Sequence, residues 1–135
     1  MKKVIVAGSR TFTDGTYLKE TLDNLYKEDF ILVSGCANGA DKLGEQYATT
    51  RGLQIEKHYA KWSDISVPNA VVKYNQYGPY NAMAGHNRNK EMLDSLLSNE
   101  DKGEVVVFWD RKSKGTENMI KIATKAGLPV IINYI

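Results

Sequence analysis

The stretch Phe30-Ile31-Leu32-Val33-Ser34-Gly35-Cys36-Ala37-Asn38-Gly39-Ala40-Asp41 decides how this chain is read. Its first four residues form a continuous apolar run, the mark of a strand covered on both faces, as in a parallel sheet. A glycine-containing turn follows. Then Leu43, Tyr47 and Ala48 recur at helical spacing as far as Gly52, where a C-terminal cap belongs. The same succession recurs on either side. Val4–Ala7 leads through Gly8-Ser9-Arg10 to a helix marked by Leu18, Leu22 and Leu25. Val105–Trp109 leads through Asp110-Arg111-Lys112-Ser113-Lys114-Gly115-Thr116-Glu117 to a helix marked by Met119, Ile120 and Ala123, closed by Gly127 and Pro129. Val130–Ile132 is a further strand, Gln54–Tyr59 a weaker one, and Met92, Leu93, Leu96 and Leu97 mark a fourth helix. Strand then helix, repeated, predicts an α/β domain: a three-layer, Rossmann-like, doubly wound sheet, mostly parallel, of about five strands flanked by helices.

At 135 residues the chain fits a single domain, 1–135. Hydrophobic residues make up 42% and charged residues 25%, which excludes disordered and fibrous classes. Eighteen basic against 16 acidic residues leave a net charge of +2, so a nucleic-acid partner is not expected. Apolar runs never exceed five residues, far below the roughly 18 that span a bilayer, so no membrane partner is expected. The start of the chain passes straight into a strand-like run without a signal-peptide cleavage site, and the expectation is a cytoplasmic protein. A single cysteine, Cys36, excludes an intrachain disulfide. With two histidines no metal site is expected, and no cofactor.

One segment breaks the rhythm. Lys61 to His86 (61–86) holds three charged residues, Lys61, Asp64 and Lys73, with Pro68 and Pro79 and the aromatics Trp62, Tyr74, Tyr77 and Tyr80. It reads as an irregular, aromatic-rich insertion, long enough to be functional or mobile.

In an open parallel sheet the turns that follow the strands share the carboxyl edge, where ligands bind at the topological switch point. Glycines there permit close approach, and free N–H groups at the next helix starts favour an anion. Each piece has a plainer reading: tight turns for Gly8, Gly35, Gly39 and Gly115, dipole complement for Asp41, cap and first-turn roles for Thr116 and Glu117, a solvated loop charge for Arg10. Together they point to a nucleotide-sized ligand. Neither G-x-G-x-x-G nor a Walker A pattern is present, which excludes an ordinary NAD dehydrogenase and a P-loop NTPase. In Ala84-Gly85-His86-Asn87-Arg88-Asn89-Lys90-Glu91-Met92, Asn87 or Asn89 is the expected cap. Arg88 would lie in the first turn, either as an exposed helix arginine or as an anion's counter-charge.

With these residues in place the chain resembles the SLOG superfamily, named after the Smf/DprA and LOG proteins, and within it the small YspA-like, YpsA-related group. The matching pieces are Gly8-Ser9-Arg10 with Phe12, Ser34 to Asp41, Trp62, Ala84-Gly85 with Arg88-Asn89 and Met92, and Gly115-Thr116 with Met119 and Ala123. The resemblance implies a Rossmann-like domain whose glycine turns hold nucleotides or nucleotide-derived ligands. LOG proteins hydrolyse nucleoside monophosphates, other branches sense nucleotide signals, and the DprA branch binds single-stranded DNA. This chain departs from the LOG pattern: the position three past Thr116 holds Met119 in place of the catalytic glutamate, and Glu117 is adjacent instead. Cys36 stands where related proteins commonly have glycine, and reads as a small buried residue.

The leading reading is binding, for sensing or sequestration, of a nucleotide-derived small molecule. Gly8, Ser9, Gly35, Gly39, Gly115 and Thr116 would cradle phosphate, Arg10 and Arg88 would pair with it, Asn89 would join them, and Asp41 would accept from ribose hydroxyls. The aromatic segment either stacks on a base or serves as a lid or a subunit contact. A phosphoribohydrolase acting at the N-glycosidic bond is the alternative, with Glu117 or Asp41 as its candidate catalytic carboxylate. DprA-like binding of single-stranded nucleic acid is the third reading, and self-association into a homo-oligomer is expected.

Overall fold

A computed structural model describes residues 1–135. Along the chain run β1 (Lys3–Gly8), α1 (Gly15–Leu25), β2 (Ile31–Ser34), α2 (Ala40–Arg51), β3 (Ile55–Lys57), β4 (Val72–Asn75), β5 (Gly78–Asn81), α3 (Ala84–Leu97), β6 (Glu104–Trp109), α4 (Lys114–Lys125) and β7 (Val130–Tyr134). Five strands form one parallel sheet in the order β3-β2-β1-β6-β7. The chain winds outward from β1 to β3, crosses to β6 on the other side of β1, and winds outward again to β7. The direction of winding thus reverses between β1 and β6, where Ile5 pairs with Val105 and Val6 with Val106.

Side chains of β1 alternate between two cores, as the two-residue strand period requires. Val4 and Val6 pack with Leu18, Leu22, Tyr47 and Ala48 of α1 and α2. Ile5 packs with Met92, Leu96, Met119 and Ala123 of α3 and α4. The result is three layers, helix pair, sheet, helix pair. Each fully buried aliphatic or aromatic side chain contributes about 1.5–3 kcal/mol of transfer free energy. On the first face Phe12 stacks on Phe108 at 5.1 Å between centroids, and Tyr17 meets Phe108 edge-on at 5.7 Å. This aromatic cluster ties the turn after β1 to the end of β6.

Local signals end the elements largely as the sequence suggests. Asp14 caps α1, its Oδ1 accepting from the Tyr17 N–H at 3.0 Å. Gly52 and Gly127 close α2 and α4. The segment 61–86 has more order than expected, because β4 and β5 pair as an antiparallel hairpin separate from the main sheet. Its signal is hidden in the sequence because Val72 and Tyr74 are exposed, so no apolar face alternates, and Pro79 lies within a strand. Asn75 Oδ1 accepts from the Tyr77 N–H at 2.8 Å and sets the turn. The expected asparagine cap of α3 is also corrected. The helix begins earlier, at Ala84, after Met83, whose side chain has no oxygen to accept from the first-turn N–H groups; Asn81 Oδ1 instead accepts from the Met83 N–H just before the helix. No helix is long and apolar enough to cross a membrane.

Candidate functional site

The turns after β1, β2 and β6 meet at the carboxyl edge of the sheet, at the winding reversal between β1 and β6. They are fastened to one another by Ser9, whose side chain is buried. Its N–H donates to the Phe108 carbonyl at 2.9 Å, its carbonyl accepts from Ala40 at 3.3 Å, and its Oγ accepts from the Asp110 N–H at 3.1 Å. The first turn lies directly on Gly39, which has φ +75°; a Cβ there would sit 2.3 Å from the Ser9 carbonyl oxygen. Ser34 stiffens the second turn. Its Oγ donates to buried Glu45 at 2.6 Å and accepts from the Cys36 N–H at 3.1 Å. Cys36 is half-buried rather than buried, in left-handed backbone with φ +61° that glycine would adopt at lower cost. Burial pushes its thiol pKa up, with Glu45 adding to the effect, so the sulfur is not an activated nucleophile.

Above these turns opens a cleft of about 430 Å³. Of the residues expected from the sequence, Gly8, Arg10, Asp41, Arg88, Asn89, Gly115 and Thr116 line it. Ser9 and Gly39 do not; they pack beneath its rim. Gly35 lies just behind, against Arg88 and Asp41: a Cβ on it would be 3.0 Å from both Arg88 Nε and Asp41 Oδ2. Glu117 is not brought to the cleft. Its carboxylate pairs on the surface of α4 with Lys121 at 3.2 Å and Lys114 at 4.0 Å, because a residue at that helix position faces away from Thr116.

Arg88 sits one turn into α3, not in its first turn, since the helix starts at Ala84. Its Nη1 donates to the Gly35 carbonyl at 2.7 Å and its Nε to Asn89 Oδ1 at 3.2 Å. Burial disfavours its charge, and Asp41 offsets part of that cost. Asn89 is buried and passes the connection on, its Nδ2 donating to the Gly115 carbonyl at 3.1 Å and Asn118 Oδ1 at 3.0 Å. Asn89 therefore positions the start of α4 relative to Arg88. At that start, Ser113 caps the helix and its Oγ lies 3.0 Å from Thr116 Oγ1.

Asp41 is the buried acid of the cleft, only 4% exposed. Burial pushes its carboxyl up to about 6, against the Ala37 N–H that donates to Oδ2 at 3.1 Å and the nearby Arg88 charge. Lys112, Lys114 and Asp110 also line the cleft, and the sequence does not single them out, because lysines in a polar loop look like solvated ones. Asp110 is held ionised below the usual carboxylate range by the N–H groups of Lys112 and Ser113, at 2.8 and 2.9 Å. The cleft is thus bordered by Arg10, Arg88, Lys112 and Lys114, the last also within 4.0 Å of Glu117, by two carboxylates and by the first turns of α2 and α4. Such a set favours an anion with hydroxyl groups beside it. No group of three His, Cys, Asp or Glu side chains is placed to hold a metal ion.

The winding reversal, the glycine turns and the cleft at the carboxyl edge define a Rossmann-like α/β domain. More particularly, residues 2–64 match the family YAcAr, the YspA, cpYpsA-related SLOG family, so the resemblance read from the sequence holds. The gene 61 protein of Mycobacterium phage D29 is similar at 28% identity over 139 residues, 97% of this chain and 95% of that protein. The X-ray structure of DNA processing protein A (DprA) from Streptococcus pneumoniae shares the fold with a TM-score of 0.66 at 20% identity. That match covers 97% of this chain but 49% of DprA, so the chain spans about half the length of that neighbour.

Proposed function

We propose that this protein binds a nucleotide or nucleotide-derived small molecule at the carboxyl edge of its sheet, to sense or sequester it. The observation that carries this reading is the convergence of Arg10, Arg88, Lys112 and Lys114 with two helix N-termini on one cleft of about 430 Å³. That volume is in the range of small-molecule sites. The phosphate lies among the cations and the first turns of α2 and α4, and Asp41 accepts from ribose hydroxyls. A cytoplasmic location and self-association belong to the same reading. Native mass spectrometry of the purified protein reads subunit number and any retained ligand together. Calorimetric titration with AMP, GMP, CMP and UMP tests the site directly. Substituting Arg88→Ala weakens the binding at least tenfold with the fold intact, and an unchanged affinity refutes the assignment.

A second reading, hydrolysis at the N-glycosidic bond, is favoured by one observation. The Asp41 carboxyl is held near 6, where a single group can exchange a proton at working pH. Asp41 would take a proton from water as the water oxygen bonds to C1′; the C1′–N bond breaks, and the base leaves with the bonding electron pair and takes up a proton from solvent. Free base released from a nucleoside monophosphate, and abolished by Asp41→Asn, would establish it. The DNA-processing role named for the structural neighbour suggests a third reading, which the mixed charges of the cleft disfavour. Tight single-strand binding that falls steeply with salt would restore it.

A further inference from the structure

A second cavity, of about 300 Å³, opens beside the cleft and shares Arg10, Ala37 and Arg88 with it. The two cavities therefore adjoin at these three residues. The chemistry of the two halves differs. Where the cleft presents lysines and helix starts, the second cavity presents Tyr59 and Trp62 across from the turn Gly35–Asn38. We infer that Trp62 and Tyr59 form a stacking wall for an aromatic ring, the nucleobase of the ligand whose phosphate occupies the cleft. The inference rests on the phosphate reading above and adds the ligand's orientation and the residues that recognise its base.

The segment 61–86 is built to present this wall. Tyr74 and Tyr77 stand out on the hairpin, 77% and 87% exposed, and line neither cavity. Trp62 does line one. Its carbonyl accepts from the Asn81 N–H at 2.7 Å, and Tyr80 supports its ring edge-on at 6.4 Å. Asn81 is itself buried, and its Oδ1 accepts from Val71 at 3.2 Å and Met83 at 2.9 Å, clamping both feet of the hairpin. The Trp62 ring lies against Gly85, where a Cβ would be 3.4 Å from Trp62 Cη2 and 3.8 Å from Arg88 Nη2. Indole and guanidinium are thus neighbours over one glycine. Arg88 marks the boundary between the phosphate and ring halves. Trp62 and Tyr59 remain 41% and 61% exposed, leaving aromatic surface for a ring to cover. Stacking reads a π-face and tolerates different bases, so this wall supplies affinity more than base identity.

The test compares AMP with ribose 5-phosphate by calorimetric titration, on the unmodified protein and on Trp62→Leu, Trp62→Phe and Arg88→Ala. Trp62→Leu is expected to weaken AMP roughly tenfold or more while leaving ribose 5-phosphate within about twofold. Trp62→Phe retains most of the AMP affinity, and Arg88→Ala weakens both probes. Fluorescence of the Trp109→Phe protein, in which Trp62 is the remaining tryptophan, is quenched by AMP and not by ribose 5-phosphate. This readout holds should Trp62→Leu fail to fold. Equal binding of the two probes by the unmodified protein, or AMP binding untouched by Trp62→Leu, overturns the stacking wall alone. If neither probe binds the unmodified protein, the phosphate reading fails and the wall with it.

Discussion

Arg88 donates through Nη1 to the carbonyl of Gly35 at 2.7 Å, joining the second turn of α3 to the turn after β2. The contact fixes a buried cation at the boundary of two cavities, beside the one buried acid of the cleft. Removing it with Arg88→Ala leaves the Gly35 carbonyl unpaired but also relieves a desolvated charge. The net stability loss is therefore small, about 1–2 kcal/mol. The loss of nucleotide affinity is larger, roughly ten- to a hundredfold. Denaturation midpoints and calorimetry on the same variant separate the two effects.

Asp41 gives stability an unusual pH dependence. Its carboxyl is raised from an ordinary 3.8 to about 6, mainly by burial. The stability that its neutral form contributes is fully present below 3.8 and is lost as pH rises through about 6. Asp41→Asn keeps an acceptor for the Ala37 N–H and removes the titration. The variant therefore gains stability relative to the native protein between pH 4 and 7, which urea midpoints across that window would show.

Glu56 acts with the opposite sign. Burial works to raise its carboxyl, but hydrogen bonds from His58, Ser95 and Lys3 prevail and hold it down to about 2. The distances are 2.6 Å to His58, 2.6 Å to Ser95 and 2.9 Å to Lys3. Its contribution is present above the ordinary 4.5 and is lost as pH falls towards 2. Glu56→Gln lowers stability at pH 7 and flattens the acid limb. A thermal midpoint profile from pH 2 to 6 distinguishes this from a uniform loss.

The second turn carries two backbone substitutions of opposite effect. Gly39→Ala places a Cβ 2.3 Å from the Ser9 carbonyl oxygen at φ +75°, a conformation suited only to glycine. It should cost about 2–4 kcal/mol and displace the Arg10 turn. Cys36→Gly relaxes a left-handed residue at φ +61° and should add about 0.5–1 kcal/mol. Chemical denaturation of both variants checks the pair.

Much of the fold is legible in the sequence because its causes are local. The continuous run Val105–Phe108, fully buried in β6, announces a strand covered on both faces, and Met92 and Leu96 fall where a helix stripe must. The β4–β5 hairpin is not legible, because the side chains of β4 face solvent and those of β5 follow no core pattern. The site is only half legible. A glycine after a strand looks the same whether it borders the cleft, as Gly8 does, or lies beneath a neighbouring turn, as Gly39 does.

By itself the sequence determined the order of the five sheet strands and the four helices and the three glycine turns that follow strands; the resemblance to LOG proteins added that Met119 stands at the position of their catalytic glutamate. The elements and their turns follow from periodicity and spacing along the chain. Tertiary structure alone decided that Ser9 is a structural knot, that Glu117 faces away, that Lys112 and Lys114 border the cleft, and that Trp62 stands beside Arg88. The reason is distance along the chain. Arg88 meets a carbonyl 53 residues away, and no local pattern records which turns a winding reversal will bring together.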